Sequence, residues 1–181
     1  MLRIIAGKYR GYKIEQPDEK YTRPTTDKVR EAVFSSLQFK LQNKTCLDLF
    51  AGSGAWSIEA ISRGASSVTS IEKNKVVLKT TKSNISKIPE ANKIQLINED
   101  ALAFLNHCSK KYDFVFIDAP FIEYNLVSSC LAQLVNNSLL EEDFEIIVET
   151  DNFSKITLPA ELKVYKSKKY GKIEILFLCQ N

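Results

Sequence analysis

Two short segments of the chain combine residue types that could bind a cofactor and position a reacting group. The first is Asp48-Leu49-Phe50-Ala51-Gly52-Ser53-Gly54, which follows an apolar run and precedes a helical pattern. Its glycines permit a tight turn and let a ligand approach the backbone closely. The second is Asp118-Ala119-Pro120-Phe121, in which a carboxylate and an aromatic ring follow another apolar run. Each segment predicts a ligand site at the end of a strand.

The glycine segment favours an adenosyl ligand with an amino-acid tail over a dinucleotide. A dinucleotide fingerprint would have a third glycine at position 57, where this chain has Ser57. Asp48 could hold the cationic amine of the tail, and Glu72 could accept both hydroxyls of a ribose. Asp100 could accept a hydrogen bond from an adenine amino group. Each acid alone could instead cap the following helix, but the three together match this ligand.

S-adenosylmethionine is therefore the predicted cofactor. The residues expected to bind it are Asp48, Phe50, Ala51, Gly52, Ser53, Gly54, Glu72, Lys73, Asp100 and Ala101. No pattern of residues predicts a metal site, because the four cysteines are scattered and His107 is the single histidine.

The second segment predicts a pocket for an exocyclic amine. The carboxylate of Asp118 and the main-chain carbonyl of residue 119 could accept both amine hydrogens, and Phe121 could stack on the base. Methyl transfer is a direct displacement, so positioning and acceptors for the developing positive charge supply much of the catalysis. The alternative is a strand-end turn with Phe121 in the core. The predicted catalytic residues are Asp118, Ala119, Pro120 and Phe121.

The elements that must position these segments alternate between strands and helices from residue 45 onward. The predicted strands are 46–50, 68–71, 94–97, 114–117 and 144–148, and the predicted helices are 55–63, 73–87, 101–108 and 124–135. This alternation predicts an α/β fold with a parallel sheet and helices on both faces. Ligands bind such sheets at the carboxyl ends of the strands, where both segments lie.

Both ends of the chain depart from the alternation. Residues 2–15 predict a short hairpin, a helix is expected from Thr25 or Thr26 to about Phe39, and residues 162–178 predict an antiparallel edge hairpin. The ends are also basic: residues 1–44 carry 10 Lys or Arg and 5 Asp or Glu, whereas residues 45–150 carry 9 and 14. Basic ends around an acidic middle fit a nucleic-acid-binding enzyme, and ordinary surface lysine is the alternative.

The composition limits the class of protein. With 181 residues and 44% hydrophobic residues, the chain can form one domain with a small appendage and a real core. No apolar stretch is long enough to span a membrane. Scattered cysteines without a signal peptide predict a reduced, cytoplasmic protein.

Four further motifs resemble the bacterial 16S ribosomal RNA guanine-N2 methyltransferases. They are Arg3-Ile4-Ile5-Ala6-Gly7, the run from Arg23 to Glu31, Ser62-Arg63-Gly64-Ala65 and Tyr170-Gly171, which add to the glycine segment. The resemblance covers nearly the whole chain. It implies a Rossmann-like seven-stranded methyltransferase sheet and methylation of a guanine exocyclic amine in small-subunit ribosomal RNA. It also implies that the start of the helix at Thr25–Glu31 closes over the cofactor.

The resemblance further implies two parts and an RNA partner. Residues 1–24 would be a basic hairpin and loop that contact RNA, and residues 25–181 the methyltransferase domain. The partner would be 16S ribosomal RNA, bound by a monomer and present in an assembling small subunit. The expected RNA-binding residues are Arg3, Lys8, Arg10, Lys13, Arg23 and Arg30.

One residue departs from the family pattern. The family has Asp-Pro-Pro-Tyr/Phe where this chain has Ala119 after Asp118. Alanine keeps the carbonyl, and Pro120 steers residue 119 toward an extended backbone, so we expect the geometry to survive in a looser loop. The alternatives that stay open are an amino-methyltransferase acting on another nucleic acid or a protein, and a cofactor-binding RNA module without turnover. A nicotinamide-dependent oxidoreductase is disfavoured by the missing third glycine.

Overall fold

A computed structural model describes residues 1–21 and 25–181 of the chain. The order of its elements confirms the predicted alternation of strands and helices. The helices are α1 (Asp27–Leu37), α2 (Ala55–Ser62), α3 (Lys75–Ile85), α4 (Ala101–His107) and α5 (Tyr124–Asn136). The strands are β1 (Leu2–Arg3), β2 (Lys13–Ile14), β3 (Thr45–Asp48), β4 (Ser67–Ile71), β5 (Ile94–Ile97), β6 (Tyr112–Ile117), β7 (Leu140–Thr150), β8 (Leu162–Tyr170) and β9 (Ile173–Gln180). Short 3₁₀ turns lie at Ala91–Lys93 and Phe153–Lys155.

Seven strands form one sheet in the order β5-β4-β3-β6-β7-β9-β8. Strands β3 to β7 pair in parallel, and β9 pairs antiparallel with both β7 and β8. The first strand of the alternation, β3, therefore lies in the middle of the parallel part. This arrangement confirms the predicted α/β sheet with an antiparallel edge. Because these strands are parallel, the residues that follow β3, β4, β5 and β6 lie together at the carboxyl ends of the strands.

Two apolar layers cover the two faces of the sheet. Strand β6 divides its side chains between them, because successive residues of a strand point to opposite faces. Phe114 and Phe116 join the layer that contains α1, α2 and the N-terminal hairpin. Val115 and Ile117 join the layer that contains α4 and α5. All four are buried, as expected for a strand covered on both faces.

The N-terminal hairpin is shorter than the sequence predicts and is packed on α2. Its two strands pair over two residues each, and the Ile4 amide still donates across the hairpin to the carbonyl of Tyr12 before the chain turns toward α2. The N–H groups of Ile5 and Ala6 donate to the buried carboxylate of Glu59 over 2.9 and 3.0 Å. The Lys8 amide donates to the carbonyl of Ser62 over 2.9 Å. The hairpin therefore shares the core of the sheet.

Local capping explains where several helices begin. The side chain of Thr26 accepts a hydrogen bond from the amide of Val29, so α1 begins at Asp27. Asn74 accepts from the amides of Val76 and Val77, so α3 begins two residues later than predicted. No helix among the described residues is long and apolar enough to span a membrane.

Candidate functional site

A cavity of about 400 Å³ opens at the carboxyl ends of the parallel strands. Both chemically suggestive segments line it. The predicted residues among its walls are Phe50, Ala51, Gly52, Ser53, Glu72, Lys73, Asp100, Ala101, Asp118, Ala119, Pro120 and Phe121. Residues 16–17 and 19–21 of the N-terminal segment line it as well. Of the predicted cofactor-binding and catalytic residues, Asp48 and Gly54 are the two that do not line the cavity.

The glycine loop has a backbone that side chains other than glycine rarely adopt. Gly52 and Gly54 have φ angles of 53° and 82°. Two side chains of α3 hold the loop: Thr81 donates to the carbonyl of Gly52 over 2.6 Å, and Asn84 donates to the carbonyl of Ser53 over 2.8 Å. These hydrogen bonds from α3 hold the loop in its conformation without the help of a ligand.

Glu72 lies beside this loop at the end of β4. Its Oε2 accepts the amide of Gly52 over 3.1 Å, and its Oε1 accepts the amide of Asn74 over 2.8 Å. Burial raises the pKa of this carboxyl, while the two amide hydrogen bonds lower it. Each carboxylate oxygen has a further lone pair, so the side chain can still accept hydroxyl groups from a ligand.

Asp48 is fully buried behind the loop. Its Oδ2 accepts a hydrogen bond from Ser57 over 2.7 Å, whereas its Oδ1 has no hydrogen-bond partner. Burial, helped by the nearby carboxyls of Asp118 and Glu72 and opposed by the hydrogen bond from Ser57, raises the pKa of Asp48 to about 7. The site therefore concentrates negative charge around the glycine loop and would be relieved by a bound cation.

Asp100 caps a helix and also lies in the wall of the cavity. Its Oδ1 accepts the amides of Leu102 and Ala103 over 2.9 and 3.2 Å, so it caps α4. It also lines the cavity with an exposed side chain, next to the buried Ala101. Capping leaves its second carboxylate oxygen available to a ligand.

Asp118 is the centre of the second half of the cavity. Trp56 Nε1 donates to its Oδ2 over 3.1 Å, and the hydroxyl of Thr25 donates to the same oxygen. Burial raises the pKa of Asp118, and these two hydrogen bonds lower it. The rest of the predicted segment is close by: Ala119 is buried, and Phe121 is half-buried in the cavity wall.

Sequence reasoning missed three residues of this cluster. Thr25 also lies 3.2 Å from Oε2 of Glu149, which is only 5% exposed and lines the cavity near the end of β7. An acid that follows the apolar residues 146–148 was the available signal for Glu149. Thr25 was expected at the start of the helix that closes over the cofactor, and not beside Asp118. Trp56 packs on Phe34 and Phe116 in the core and still reaches Asp118 with its ring N–H, a contact that no local pattern indicates.

The structure places the basic residues that are expected to bind RNA in different surroundings. Arg3 and Lys8 have exposed side chains that form ion pairs, with Asp27 at 3.3 Å and Glu90 at 3.3 Å. Arg10 and Lys13 are exposed on the hairpin. Arg23 lies outside the described residues.

Arg30 requires a correction, because its side chain is fully buried. Its guanidinium donates to Asp27 over 2.9 Å and lies 3.7 Å from Oε2 of Glu59, so it is neutralised inside the protein. Burial lowers its pKa, and the two acids raise it. A side chain in this position joins α1 to α2 and cannot also reach an RNA phosphate.

The chain is similar to known proteins in both sequence and fold. The family described as conserved hypothetical protein 95 matches residues 2–179. Ribosomal RNA small subunit methyltransferase D of Escherichia coli (strain K12) is 35% identical over 173 residues, which cover 95% of this chain and 86% of the relative. The protein of the same name from Haemophilus influenzae is 35% identical and covers 94% of this chain and 89% of its own length. The solved structure of yhhF from Escherichia coli superposes with a TM-score of 0.89 at 32% identity, over 99% of this chain and 97% of that one.

Proposed function

The chain belongs to the family described as conserved hypothetical protein 95, and on that premise we propose that it transfers a methyl group from S-adenosylmethionine to the N2 amine of a guanine in small-subunit ribosomal RNA. Its relatives named ribosomal RNA small subunit methyltransferase D support the reaction and the class of RNA. One structural observation carries the proposal: Trp56, which follows the glycine loop, donates to Asp118. The cofactor half and the amine half are therefore walls of one cavity.

The residues of the cofactor half fit S-adenosylmethionine. Bound there, this cofactor supplies an electrophilic methyl group on a positively charged sulfur. Glu72 would accept its ribose hydroxyls, Asp100 would accept from its adenine amine, and the turn at Gly52 lets it approach the backbone. Asp48, with one buried oxygen unpartnered, adds negative charge that favours a cationic ligand.

The residues of the amine half would orient the nucleophile. Asp118 and the carbonyl of Ala119 would accept the two hydrogens of the guanine N2 amine, which directs its nitrogen at the methyl carbon. Thr25 and Trp56 support this role because their hydrogen bonds favour the carboxylate form of Asp118. These acceptors would stabilise the positive charge that develops on N2 during the transfer, and the Asp118 carboxylate would take up the proton that N2 then loses.

The RNA must present this amine outside a duplex. A paired guanine cannot place N2 in a cavity bounded by loops, so the target would be unpaired or extruded. Phe121 would then stack on the base, and the exposed Arg10 and Lys13 would contact phosphates. We further propose 16S ribosomal RNA in an assembling small subunit as the partner, and a monomer working in the cytoplasm as the acting form.

Transfer of labelled methyl groups to ribosomal RNA tests the proposal. Total RNA and small subunits are taken from cells that lack this protein, and the modified nucleotide is mapped. We expect label on the N2 of one guanosine of small-subunit RNA. Asp118→Ala should abolish transfer while S-adenosylhomocysteine still binds, and Asp143→Asn, at an exposed acid of β7, should transfer normally. Label on another nucleic acid or on protein, or no label with binding retained, would contradict the proposal.

A further inference from the structure

We infer that Ile122 inserts between the bases that flank the target guanine, and fills the space that the target leaves when it enters the cavity. The inference rests on the proposed function, because it names the side chain that keeps the target base out of its stack. It gives Ile122 a contact with the neighbouring bases, while Asp118 orients the amine that is methylated.

Ile122 lies at the corner of a tight turn that follows the amine half of the cavity. The amide of Glu123 donates to the carbonyl of Pro120 over 2.9 Å, so Phe121 and Ile122 are the two central residues of a four-residue turn. Helix α5 begins directly after the turn, at Tyr124. The turn is therefore anchored by the pocket on one side and by a helix on the other, which fixes its two central residues relative to the pocket.

The two central side chains of this turn differ in exposure. Phe121 is half-buried in the cavity wall, whereas Ile122 is 84% exposed and lines the same cavity. Turn positions are usually occupied by glycine, proline, asparagine, aspartate or serine, each of which favours the turn for a physical reason that a β-branched apolar side chain lacks. Ile122 is thus an apolar group held in water at the opening of the cavity.

The molecule that covers Ile122 follows from what enters the cavity. Among the described residues, Tyr21 is the one other exposed large apolar side chain that lines it, and the ammonium of Lys20 lies 4.7 Å from the centre of its ring. Apolar and aromatic side chains beside a cation suit the bases and phosphates of a single strand. Because adjacent nucleotides are covalently joined, a base inside the cavity holds its two neighbours at this opening, next to Ile122.

The hydrophobic effect gives the insertion its driving force. Extruding a base breaks its stacking with both neighbours, which costs free energy and favours its return. Proteins that open nucleic acids insert apolar side chains such as isoleucine between base steps. A side chain that is exposed before binding and covered by two bases afterwards offsets part of this cost, because its apolar surface leaves water. Ile122 therefore raises the fraction of bound RNA that presents its amine to Asp118.

Removing the flanking bases tests whether Ile122 acts through them. The shortest RNA that the wild-type protein methylates, alone or in reconstituted small subunits, is prepared with both neighbours of the target intact or with both abasic. We expect Ile122→Ala to lower kcat/KM about tenfold on the intact RNA and less than about twofold on the abasic RNA, because the apolar surface that it removes is buried only between bases. Ile122→Leu restores the apolar volume and should recover most of the loss.

A second exposed apolar residue provides the matched control. Phe39 is 89% exposed and does not line the cavity, so Phe39→Ala should leave kcat/KM unchanged on both RNAs. Thermal unfolding and S-adenosylhomocysteine affinity check that each variant is folded, which is expected because both side chains are at the surface. No loss for Ile122→Ala on the intact RNA, or an equal loss on both RNAs, would overturn the inference.

The two levels of proposal fail differently. If the wild-type protein leaves the guanines of small-subunit RNA unmethylated, the proposed function is wrong. If it methylates its target but the effect of Ile122→Ala does not depend on the flanking bases, only the role of Ile122 is wrong.

Discussion

Trp56 Nε1 donates a hydrogen bond of 3.1 Å to Oδ2 of Asp118, which joins the helix after the glycine loop to the loop after β6. The indole is fixed by packing on Phe34 and Phe116, with ring centroids 5.4 and 5.2 Å away. A donor held this rigidly keeps the Asp118 carboxylate in one orientation. The core therefore positions the acceptor for the amine.

Replacing Trp56 with phenylalanine tests this coupling. Trp56→Phe keeps an aromatic ring but removes the N–H donor, so we expect kcat to fall about tenfold, in line with a lost hydrogen bond to a charged group. The lost donor also raises the pKa of Asp118, so the acidic limb of the pH–rate profile should move to higher pH. A lower kcat with an unmoved limb would mean that Trp56 acts through packing alone.

The buried Asp48 predicts a pH dependence of stability. Its pKa is raised by burial from 3.8 to about 7 in the folded protein. Below pH 4 both states are protonated, whereas between about pH 4 and 7 the unfolded chain releases a proton that the folded chain keeps. The stability contributed by protonated Asp48 is therefore lost as pH rises through this window, and the loss is complete above about pH 7.

Asp48→Asn is the matched variant, because it resembles the protonated acid in shape. The free energy of unfolding of the wild-type protein, relative to this variant, should fall by on the order of 2–4 kcal/mol between pH 4 and pH 8. Urea unfolding of the ligand-free proteins at several pH values measures the difference. A constant difference across the range would show that Asp48 ionises normally.

Two glycines of the hairpin provide a paired test of its docking. Gly7 and Gly11 have φ angles of 83° and 84°, so a side chain strains both equally. A Cβ at Gly7 would lie 2.0 Å from the carbonyl oxygen of Ser62, whereas nothing lies within 4 Å of one at Gly11. We expect Gly11→Ala to lower the free energy of unfolding by about 1–2 kcal/mol, and Gly7→Ala to lower it by at least about 3 kcal/mol. Equal costs in urea unfolding would mean that the hairpin is not packed on α2 in solution.

The exposed cations of the hairpin predict how RNA is held. Reversing charge at both Arg10 and Lys13 should weaken RNA binding about tenfold and reduce its salt dependence, because fewer counterions are then released. Affinity for S-adenosylhomocysteine should not change. The control reverses Lys110 and Lys111, which are exposed on the segment before β6 and do not belong to the hairpin. If both double variants weaken binding equally, the hairpin has no special role.

The sequence by itself determined the sheet and the two loops that form the cavity. Strand and helix periodicities are local patterns, and the glycines at 52 and 54 mark a turn wherever the chain is folded. The position of residues 118–121 after the strand Tyr112–Ile117 was predictable for the same reason. These features depend on neighbours in the chain, so they can be read without knowing the fold.

Only the tertiary structure decided which side chains meet. Thr25, Trp56 and Glu149 surround Asp118 from three separate elements, and no local pattern records the register that aligns β6 with β7. The sequence predicts Arg30 as a surface cation that binds RNA. In the structure its side chain is buried against Glu59 of α2 and is not exposed to solvent. Contacts between distant positions depend on packing and register, which a linear pattern of residue types does not specify.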